Sequence, residues 1–226
     1  MTPAAAESLR RAAAHVVVDD VARPELAEAD AHHLFRVLRV RDGEIVTVTD
    51  GAGSWRVCRA TGGTIAVDGD VATEPPPAAP LTIAFALPKM DRPDWIVQKL
   101  TELGVDRIVI LHAERSVVRW PGDRVDKHLA KLRRVAREAV QQARRVWVPE
   151  IVGPLAAAAV LPEAVAAEPG GRPLVAADRC IAIGPEGGWT SDELRLARAT
   201  VSLGSAVLRV ETAALAAAAL AAEHSS

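Results

Sequence analysis

The chain has few aromatic residues and few cysteines. Its 226 residues include no Tyr, two Phe and five Trp, so a buried core has to be built from Val, Leu, Ile and Ala. The two cysteines, Cys58 and Cys180, lie far apart and belong to no CxxC or Cys/His spacing. A disulfide framework is therefore not expected, no metal site is expected, and a reducing compartment is favoured.

Long apolar runs and a secretory signal pattern are also absent. The longest stretch of Ala and Leu, residues 213–222, is too short and too weakly apolar to span a bilayer. The first residues show no basic segment followed by an apolar one. With half of the residues apolar and a quarter charged, the composition indicates a soluble globular protein, and we expect it to be cytoplasmic.

The net charge of −2 hides a local excess of basic residues. Between Arg115 and Arg145 there are ten Lys or Arg and three acidic residues, which leaves a local charge of +7. A patch of this size attracts phosphate backbones, whatever the net charge of the protein. A solvated helix face is the alternative interpretation, and both stay open at this point.

A proline-rich segment, residues 75–80, separates two differently patterned parts and is predicted to be an extended linker. In residues 1–74, the β-branched run 45–49 and the alternating run 55–60 are predicted strands joined by a turn. Residues 31–40 are predicted to form a short helix. This first domain is therefore predicted to be a small β-barrel, a common RNA-binding scaffold.

Residues 81–226 are predicted to form a second domain, of the α/β class. The predicted strands are 81–87, 107–112, 146–152, 173–177 and 181–183, and the predicted helices are 94–103, 123–145 and an Ala-rich helix that ends near Glu168. This alternation predicts a parallel sheet covered by helices on both faces. Residues 178–180 are too short to connect neighbouring parallel strands, so either a strand has been lost or a stretch of sequence is missing.

Two glycine-containing loops carry the strongest chemical signal. The first, GPEGG at residues 184–188, follows the apolar strand 181–183 and precedes a helix that Thr190 and Glu193 are predicted to open as a capping box. The second, LGSAVLR at residues 203–209, lies between a strand and the last helix. Glycines at the carboxyl end of a strand let the backbone approach a ligand closely, although each loop alone is also compatible with an ordinary turn.

In this order, the two loops resemble those of SPOUT-class methyltransferases, in particular the RsmE family. The family's pattern also appears at residues 33–39 (HLxxVLR), 98–105 (QKxxELGV), 114–118 (ERSVV) and 138–145 (EAxxQxxR). The resemblance implies a PUA-like β-barrel joined to an α/β domain with a trefoil knot, assembled as a homodimer. It further implies methylation of N3 of a uridine in 16S ribosomal RNA, with S-adenosylmethionine as the cofactor.

The resemblance and the chemistry of the reaction together identify candidate functional residues. The residues expected to bind the cofactor are Ile183, Gly184, Pro185, Glu186, Gly187, Gly188, Leu203, Gly204, Val207, Leu208 and Arg209. Because uridine N3 carries a proton at neutral pH, the enzyme should offer a base or an oxyanion stabiliser. Glu211 suits the first role and Arg209 the second, unless the two pair with each other or cap the last helix. The candidate phosphate ligands are Arg10, Arg11, Arg36, Arg39, Lys89, Arg115 and Arg145.

Three other functions compete with this hypothesis. One is a SPOUT methyltransferase with another RNA target, for example a ribose 2′-hydroxyl. Another is a non-catalytic, ribosome-associated RNA-binding protein whose cofactor site has decayed. A nucleotide-binding metabolic enzyme is disfavoured, because neither loop matches a phosphate-binding pattern. In each RNA-directed case the expected partner is ribosomal RNA or the small ribosomal subunit, with no DNA and no membrane.

Overall fold

A computed structural model of the chain describes residues 3–88 and 92–223, and it divides into two compact units. The first unit contains residues Met1–Pro76 and Arg137–Val148, and the second contains Pro77–Ala136 and Pro149–Ser226. The division after Pro76 falls within the proline-rich segment. The placement of residues 137–148 in the first unit differs from the sequence-based prediction, which put them in the second domain.

The first unit is built around a five-stranded sheet. Its helices are α1 (Pro3–Arg11) and α2 (Glu28–His32), and its strands are β1 (Ala14–Val17), β2 (Ile45–Thr49), β3 (Ser54–Thr61), β4 (Thr64–Val67) and β5 (Ala72–Thr73). Strand β1 is parallel to β2, whereas β3 is antiparallel to β2, β4 and β5. The two predicted strands are confirmed. The helix predicted at residues 31–40 begins earlier, at Glu28, and ends at Val37. It consists of α2, which continues directly into a π-helical turn, His33–Val37.

Residues 137–148 reach the first unit from a distant part of the sequence. The guanidinium group of Arg137 donates to the backbone carbonyl of Val17, and that of Arg144 donates to the carbonyls of Leu9 and Arg10. Both side chains belong to the basic run between Arg115 and Arg145, for which a solvated helix face is one of the two sequence-based interpretations. They instead tie this segment to the backbone of the first unit.

A buried histidine makes a further connection within the first unit. The His15 ring places Nε2 2.9 Å from the carbonyl oxygen of Arg145 and Nδ1 2.8 Å from Oγ1 of Thr47. A carbonyl can only accept, so Nε2 carries the proton and the Thr47 hydroxyl donates to Nδ1. Burial lowers the pKa of His15 to about 4; the bond to Arg145 opposes this shift and the charge of Arg144 adds to it.

The second unit is a six-stranded sheet with the strand order β11-β9-β10-β6-β7-β8, and every pairing in it is parallel. The strands are β6 (Thr82–Ala86), β7 (Arg107–His112), β8 (Glu150–Ala156), β9 (Val165–Pro173), β10 (Cys180–Ile183) and β11 (Ala199–Ser202). The helices are α3 (Arg92–Glu102), α4 (Val125–Ala143), α5 (Ala157–Val160), α6 (Ser191–Leu196) and α7 (Val210–Glu223), and residues 137–143 of α4 belong to the first unit. The predicted parallel sheet is confirmed.

Both faces of this sheet are buried, as an all-parallel sheet requires. Along β6, Ile83 and Phe85 point into one core, which they share with residues of α3, α4 and α7, whereas Ala84 belongs to a second core on the opposite face. The second core contains Leu161 and Trp189. The covering of both faces by packed side chains was predicted from the sequence and is confirmed.

The prediction of an Ala-rich helix ending near Glu168 was wrong. Helix α5 has only four residues, and β9 begins at Val165. Residues 165–167 of β9 pair with residues 181–183 of β10, so thirteen residues, 168–180, separate the paired segments, and residues 174–179 connect the ends of the two strands. The separation of the paired segments satisfies a parallel connection. The strand predicted at residues 173–177, on which the expectation of a lost strand or missing sequence depended, was wrong, because β9 ends at Pro173. An alanine-rich segment is compatible with a helix or a strand. This segment forms a strand because β10 and β11 pair with it on its two sides.

The strand predicted at residues 146–152 lies later in the chain, at β8. The preceding helix α4 ends at Ala143, and Arg144 adopts a left-handed backbone conformation with φ 54°. Residues 145–148 then belong to the first unit, which delays the start of the strand. In the part of the chain that the structure describes, no helix combines the length and the apolar character needed to cross a membrane.

Candidate functional site

The two glycine-containing loops line one cavity in the second unit, with a volume of about 350 Å³. One loop follows the carboxyl end of β10 and the other follows the carboxyl end of β11. Strand β9 lies between them in the sheet and contributes Ala167, Glu168 and Pro169 to the wall. The carboxyl edge of a parallel sheet is the usual ligand-binding edge, and the volume suits a small organic cofactor.

Ten of the eleven residues expected to bind the cofactor line this cavity. They are Ile183, Gly184, Pro185, Glu186, Gly187, Gly188, Leu203, Gly204, Val207 and Leu208, whereas Arg209 is exposed and is not part of the lining. Sequence reasoning missed Ala167, Glu168, Pro169, Trp189, Ser202, Ala206, Val210 and Ala213. Residues 167–169 were missed because that segment was predicted to be helical; Ala206 lies within the second motif, and the other four lie close to the two motifs.

The glycines of the first loop are explained by packing within the protein. A Cβ atom at Gly184 would lie 2.8 Å from Cε2 of Trp189, and one at Gly187 would lie 3.3 Å from Cβ of Arg115. The sequence-based reason for these glycines was close approach to a ligand, but their nearest obstacles are side chains of the chain itself. Gly188 and Gly204 have φ of +71° and +142°, which L side chains rarely adopt.

Hydrogen bonds on two sides fix the first loop. The indole Nε1 of Trp189 donates to the carbonyl of Ala167 at 3.1 Å, which joins the loop to β9. The predicted capping box at the start of α6 is confirmed, because Thr190 Oγ1 accepts from the Glu193 amide and Glu193 Oε2 accepts from the Thr190 amide. The residues that directly follow the loop are therefore held at defined positions.

The second loop offers backbone groups and an apolar surface to a ligand. Within the described residues, the amides of 205–208 donate no hydrogen bond. The Val207 side chain is 87% exposed although it lines the cavity. Unpaired amides next to exposed aliphatic side chains suit a ligand that has both polar edges and an apolar ring.

The two candidate catalytic residues do not pair with each other. Glu211, near the start of α7, forms an ion pair through Oε1 with Arg92 at the start of α3. Its second oxygen, Oε2, is buried and has no hydrogen-bond partner among the described residues. The Glu211 side chain is 14% exposed. Sequence reasoning missed Arg92, because nothing local links it to a residue 119 positions away.

The candidate phosphate ligands are distributed over both units. Arg10, Arg36 and Arg39 are exposed on the first unit, Arg11 is exposed and paired with Glu7, and Arg145 contributes its backbone carbonyl to His15. Lys89 lies outside the described residues. Arg115 lies beside the cavity, where its guanidinium group donates to carbonyls of the first loop.

Part of the basic run between Arg115 and Arg145 serves the structure itself. Arg115, Arg133, Arg137 and Arg144 each donate to at least one backbone carbonyl. The run is therefore more than a solvated helix face, although its excess positive charge remains available to attract phosphates.

Comparisons with known proteins identify the class to which the chain belongs. A family model described as an RNA methyltransferase domain matches residues 74–222, and one described as an RNA methyltransferase PUA domain matches residues 26–62. Ribosomal RNA small subunit methyltransferase E of Mycobacterium bovis is 34% identical over 217 residues, which cover 82% of this chain and 80% of that protein. The Synechocystis protein of the same name is 32% identical over 83% of this chain and 69% of its own length.

A solved structure agrees with this similarity. Ribosomal RNA small subunit methyltransferase E from Neisseria gonorrhoeae, bound to S-adenosylmethionine, matches with a TM-score of 0.73 and 26% identity. The match covers 91% of this chain and 95% of that one. The chain therefore belongs to the RNA methyltransferase family with a PUA domain, the family that contains ribosomal RNA small subunit methyltransferase E.

Proposed function

We propose that the protein transfers a methyl group from S-adenosylmethionine to N3 of a uridine in small-subunit (16S) ribosomal RNA. The observation that carries the proposal is the single cavity formed by the two loops, because ten of the eleven residues expected from the resemblance line it. The names of the curated relatives support ribosomal RNA as the substrate, and the bound ligand of the Neisseria structure supports the cofactor.

S-adenosylmethionine supplies a methyl group on a positively charged sulfur. Backbone groups of residues 184–188 and 203–208 would hold it, with Leu203, Val207 and Leu208 as apolar walls. The protein's contribution would then be to align the methyl group with the target nitrogen. Alignment alone can lower the activation free energy by about 7–11 kcal/mol.

We propose Glu211 as the group that receives or orients the N3 proton. Its Oε2 atom has no partner in the described part of the chain, and a buried carboxylate oxygen without a donor is costly. The imide N–H of uracil is a donor of the required type. Arg92 would keep the carboxylate in place through Oε1. The guanidinium group of the exposed Arg209 would stabilise the negative charge that develops on a uracil oxygen.

The target base has to be unpaired or extruded, because N3 lies on the Watson–Crick edge. We propose Arg10, Arg11, Arg36, Arg39 and Arg145 of the first unit, together with Lys89, as phosphate contacts. The closed β-barrel, the trefoil knot, the homodimer and the cytoplasmic location stay predictions from the family resemblance.

Calorimetric titration with S-adenosylmethionine tests the cofactor site. The Ala206→Trp variant would fill the cavity from an exposed position, whereas Ala159→Trp makes the same exchange at an exposed alanine outside the lining and serves as the control. We expect micromolar binding by the unchanged protein and by the control, and no measurable binding by Ala206→Trp. Absence of binding in the unchanged protein, with and without ribosomal RNA, would favour the non-catalytic RNA-binding alternative.

Analysis of the product tests the position of methylation. Small ribosomal subunits that lack the modification are incubated with the protein and S-adenosylmethionine, and the RNA is digested to nucleosides for mass spectrometry. We expect 3-methyluridine. A 2′-O-methylated nucleoside would instead identify a methyltransferase of the same family with a ribose target.

A further inference from the structure

The loop that follows β7 is joined directly to the first cavity loop. Nη1 of Arg115 donates to the carbonyl oxygen of Gly187 at 3.1 Å and to that of Trp189 at 3.1 Å. The guanidinium group is always charged, and charged donors make stronger hydrogen bonds than neutral ones. One side chain from the loop after β7 therefore holds two peptide groups of the loop after β10.

A second link joins the loop after β7 to helix α6, which directly follows the first cavity loop. Oε1 of Glu193 accepts a hydrogen bond from the backbone amide of Glu114 at 2.9 Å, while Oε2 of the same carboxylate caps α6. Glu193 is only 3% exposed. In the loop after β7, the Ala113 amide donates to Oγ of Ser116 at 3.0 Å and closes a tight turn. Arg115 thus projects from a turn whose own backbone is fixed.

Packing leaves the first loop little freedom at this junction. A Cβ atom at Gly187 would meet Cβ of Arg115 at 3.3 Å, so the two backbones already lie close together. Because a peptide group is planar, holding the carbonyls of Gly187 and Trp189 also sets the directions of the amides of Gly188 and Thr190. The Gly188 amide donates to the carbonyl of Pro185 at 2.8 Å, which completes the turn at the cavity wall.

We infer that Arg115 is a positioning residue for the cofactor loop, which it holds in its binding shape through the carbonyls of Gly187 and Trp189. This inference rests on the proposed function, in that the cavity has to bind S-adenosylmethionine. It differs from the expectation that Arg115 contacts an RNA phosphate. In the structure its Nη1 group is engaged by two carbonyls of the protein.

The two roles of Arg115 predict different measurements. A positioning residue affects the binding of S-adenosylmethionine in the absence of RNA, whereas a phosphate ligand affects the KM for RNA and leaves cofactor binding unchanged. Arg119 is the matched control, because it is an exposed arginine four positions along the same segment. Its replacement removes the same charge from this part of the chain.

The experiment is calorimetric titration of S-adenosylmethionine, without RNA, into the unchanged protein and the Arg115→Met, Arg115→Lys and Arg119→Met variants. We expect Arg115→Met to raise the Kd about tenfold, the size of effect typical of losing hydrogen bonds from a charged donor. Arg115→Lys, which keeps a charged donor, should recover part of the loss. Arg119→Met should bind like the unchanged protein. In steady-state methylation assays, Arg115→Met should raise the KM for S-adenosylmethionine and leave the KM for RNA unchanged.

The outcomes separate the inference from the proposed function. Equal cofactor binding by Arg115→Met and the unchanged protein overturns the positioning role, and a raised KM for RNA alone would assign Arg115 to a phosphate. Failure of the unchanged protein to bind overturns the proposed function itself. Thermal unfolding accompanies each titration. If Arg115→Met lacks a cooperative transition, Arg115→Lys decides, and a Kd equal to that of the unchanged protein overturns the role.

Discussion

Each glycine beside the cavity has a physical reason that can be assigned to one neighbour or one backbone angle. Gly184 faces the ring of Trp189, Gly187 faces Arg115, and Gly188 and Gly204 have positive φ angles. The Trp189 ring is itself held by its bond to Ala167. The loop shape is consequently determined by the protein in advance, which is how a binding site avoids the cost of ordering itself around a ligand.

A substitution at Gly184 tests this reasoning at the scale of one residue. In Gly184→Ala the added methyl group would lie 2.8 Å from Cε2 of Trp189, so the buried ring has to move. We expect the free energy of unfolding to fall by about 1–3 kcal/mol, as in other overpacked sites. Urea denaturation measures it. Gly122→Ala is the control, because a Cβ there meets nothing within 4 Å, and its effect should stay within about 0.5 kcal/mol.

At the scale of elements, β9 shows how the neighbouring strands of a sheet decide the local structure of a segment. Strand β9 pairs with β10 on one side and β11 on the other, and its residues 167–169 line the cavity. Its connection to β10 is closed by a bidentate ion pair between Arg172 and Asp178, whose carboxylate also accepts from the Val175 amide. The hydrogen bond from Arg172 is the main reason that the pKa of Asp178 is lowered.

The free energy of unfolding should depend on pH through His15, which binds the backbone carbonyl of Arg145 in the segment after α4. Its pKa is about 4 in the folded protein and 6.5 in the unfolded chain, so the unfolded chain binds the extra proton between these values. The stability is therefore complete above pH 6.5 and declines as the pH falls towards 4, by about 3 kcal/mol in total. Urea denaturation at a series of pH values measures this.

Two variants isolate the contribution of His15. His15→Gln should remove most of the decline between pH 6.5 and 4, whereas His32→Gln, at an exposed position, should leave it unchanged. The pKa of His112 is also lowered, chiefly by burial, so a smaller decline in the same direction should persist in His15→Gln. An identical pH profile for His15→Gln and the unchanged protein would contradict the assignment.

At the scale of the whole molecule, the two units are not consecutive pieces of the chain. Residues 137–148 supply part of the first unit: the Gly53 amide donates to the carbonyl of Val146, and the Val148 amide donates to that of Gly51. A Cβ atom at Gly51 would lie 2.6 Å from Cγ2 of Val148, which shows how closely this segment packs. Cutting the chain in its proline-rich segment would therefore not yield two complete units.

A fragment experiment tests this organisation. We expect residues 1–76 alone to unfold without a cooperative transition, because the partners of His15 and Gly53 are missing. Addition of a synthetic peptide of residues 137–148 should restore a cooperative thermal transition, measured by circular dichroism. A peptide with Val148 replaced by proline, which has no amide N–H to donate to the carbonyl of Gly51, is the control. A cooperative transition in the fragment alone, at the temperature seen in the whole protein, would contradict the prediction.

Much of the architecture and the outline of the site could be predicted from the sequence. The alternation of apolar strands and helices predicted the parallel sheet, and the motifs GPEGG and LGSAVLR, with Ile183 directly before the first, predicted ten residues of the cavity wall. The capping box of Thr190 and Glu193 was also predicted correctly. These features depend on residues that are close in the sequence, where periodicity, turn chemistry and capping act.

Only the tertiary structure decided the features that join distant residues. Residues 165–167 form a strand because β10 and β11 lie beside them, although their composition also suits a helix. Glu211 pairs with Arg92 rather than Arg209, and Arg115 binds carbonyls of the cavity loop rather than facing only solvent. Each of these choices depends on which hydrogen-bond partners the folded backbone brings within reach, and no local pattern of residues contains that information.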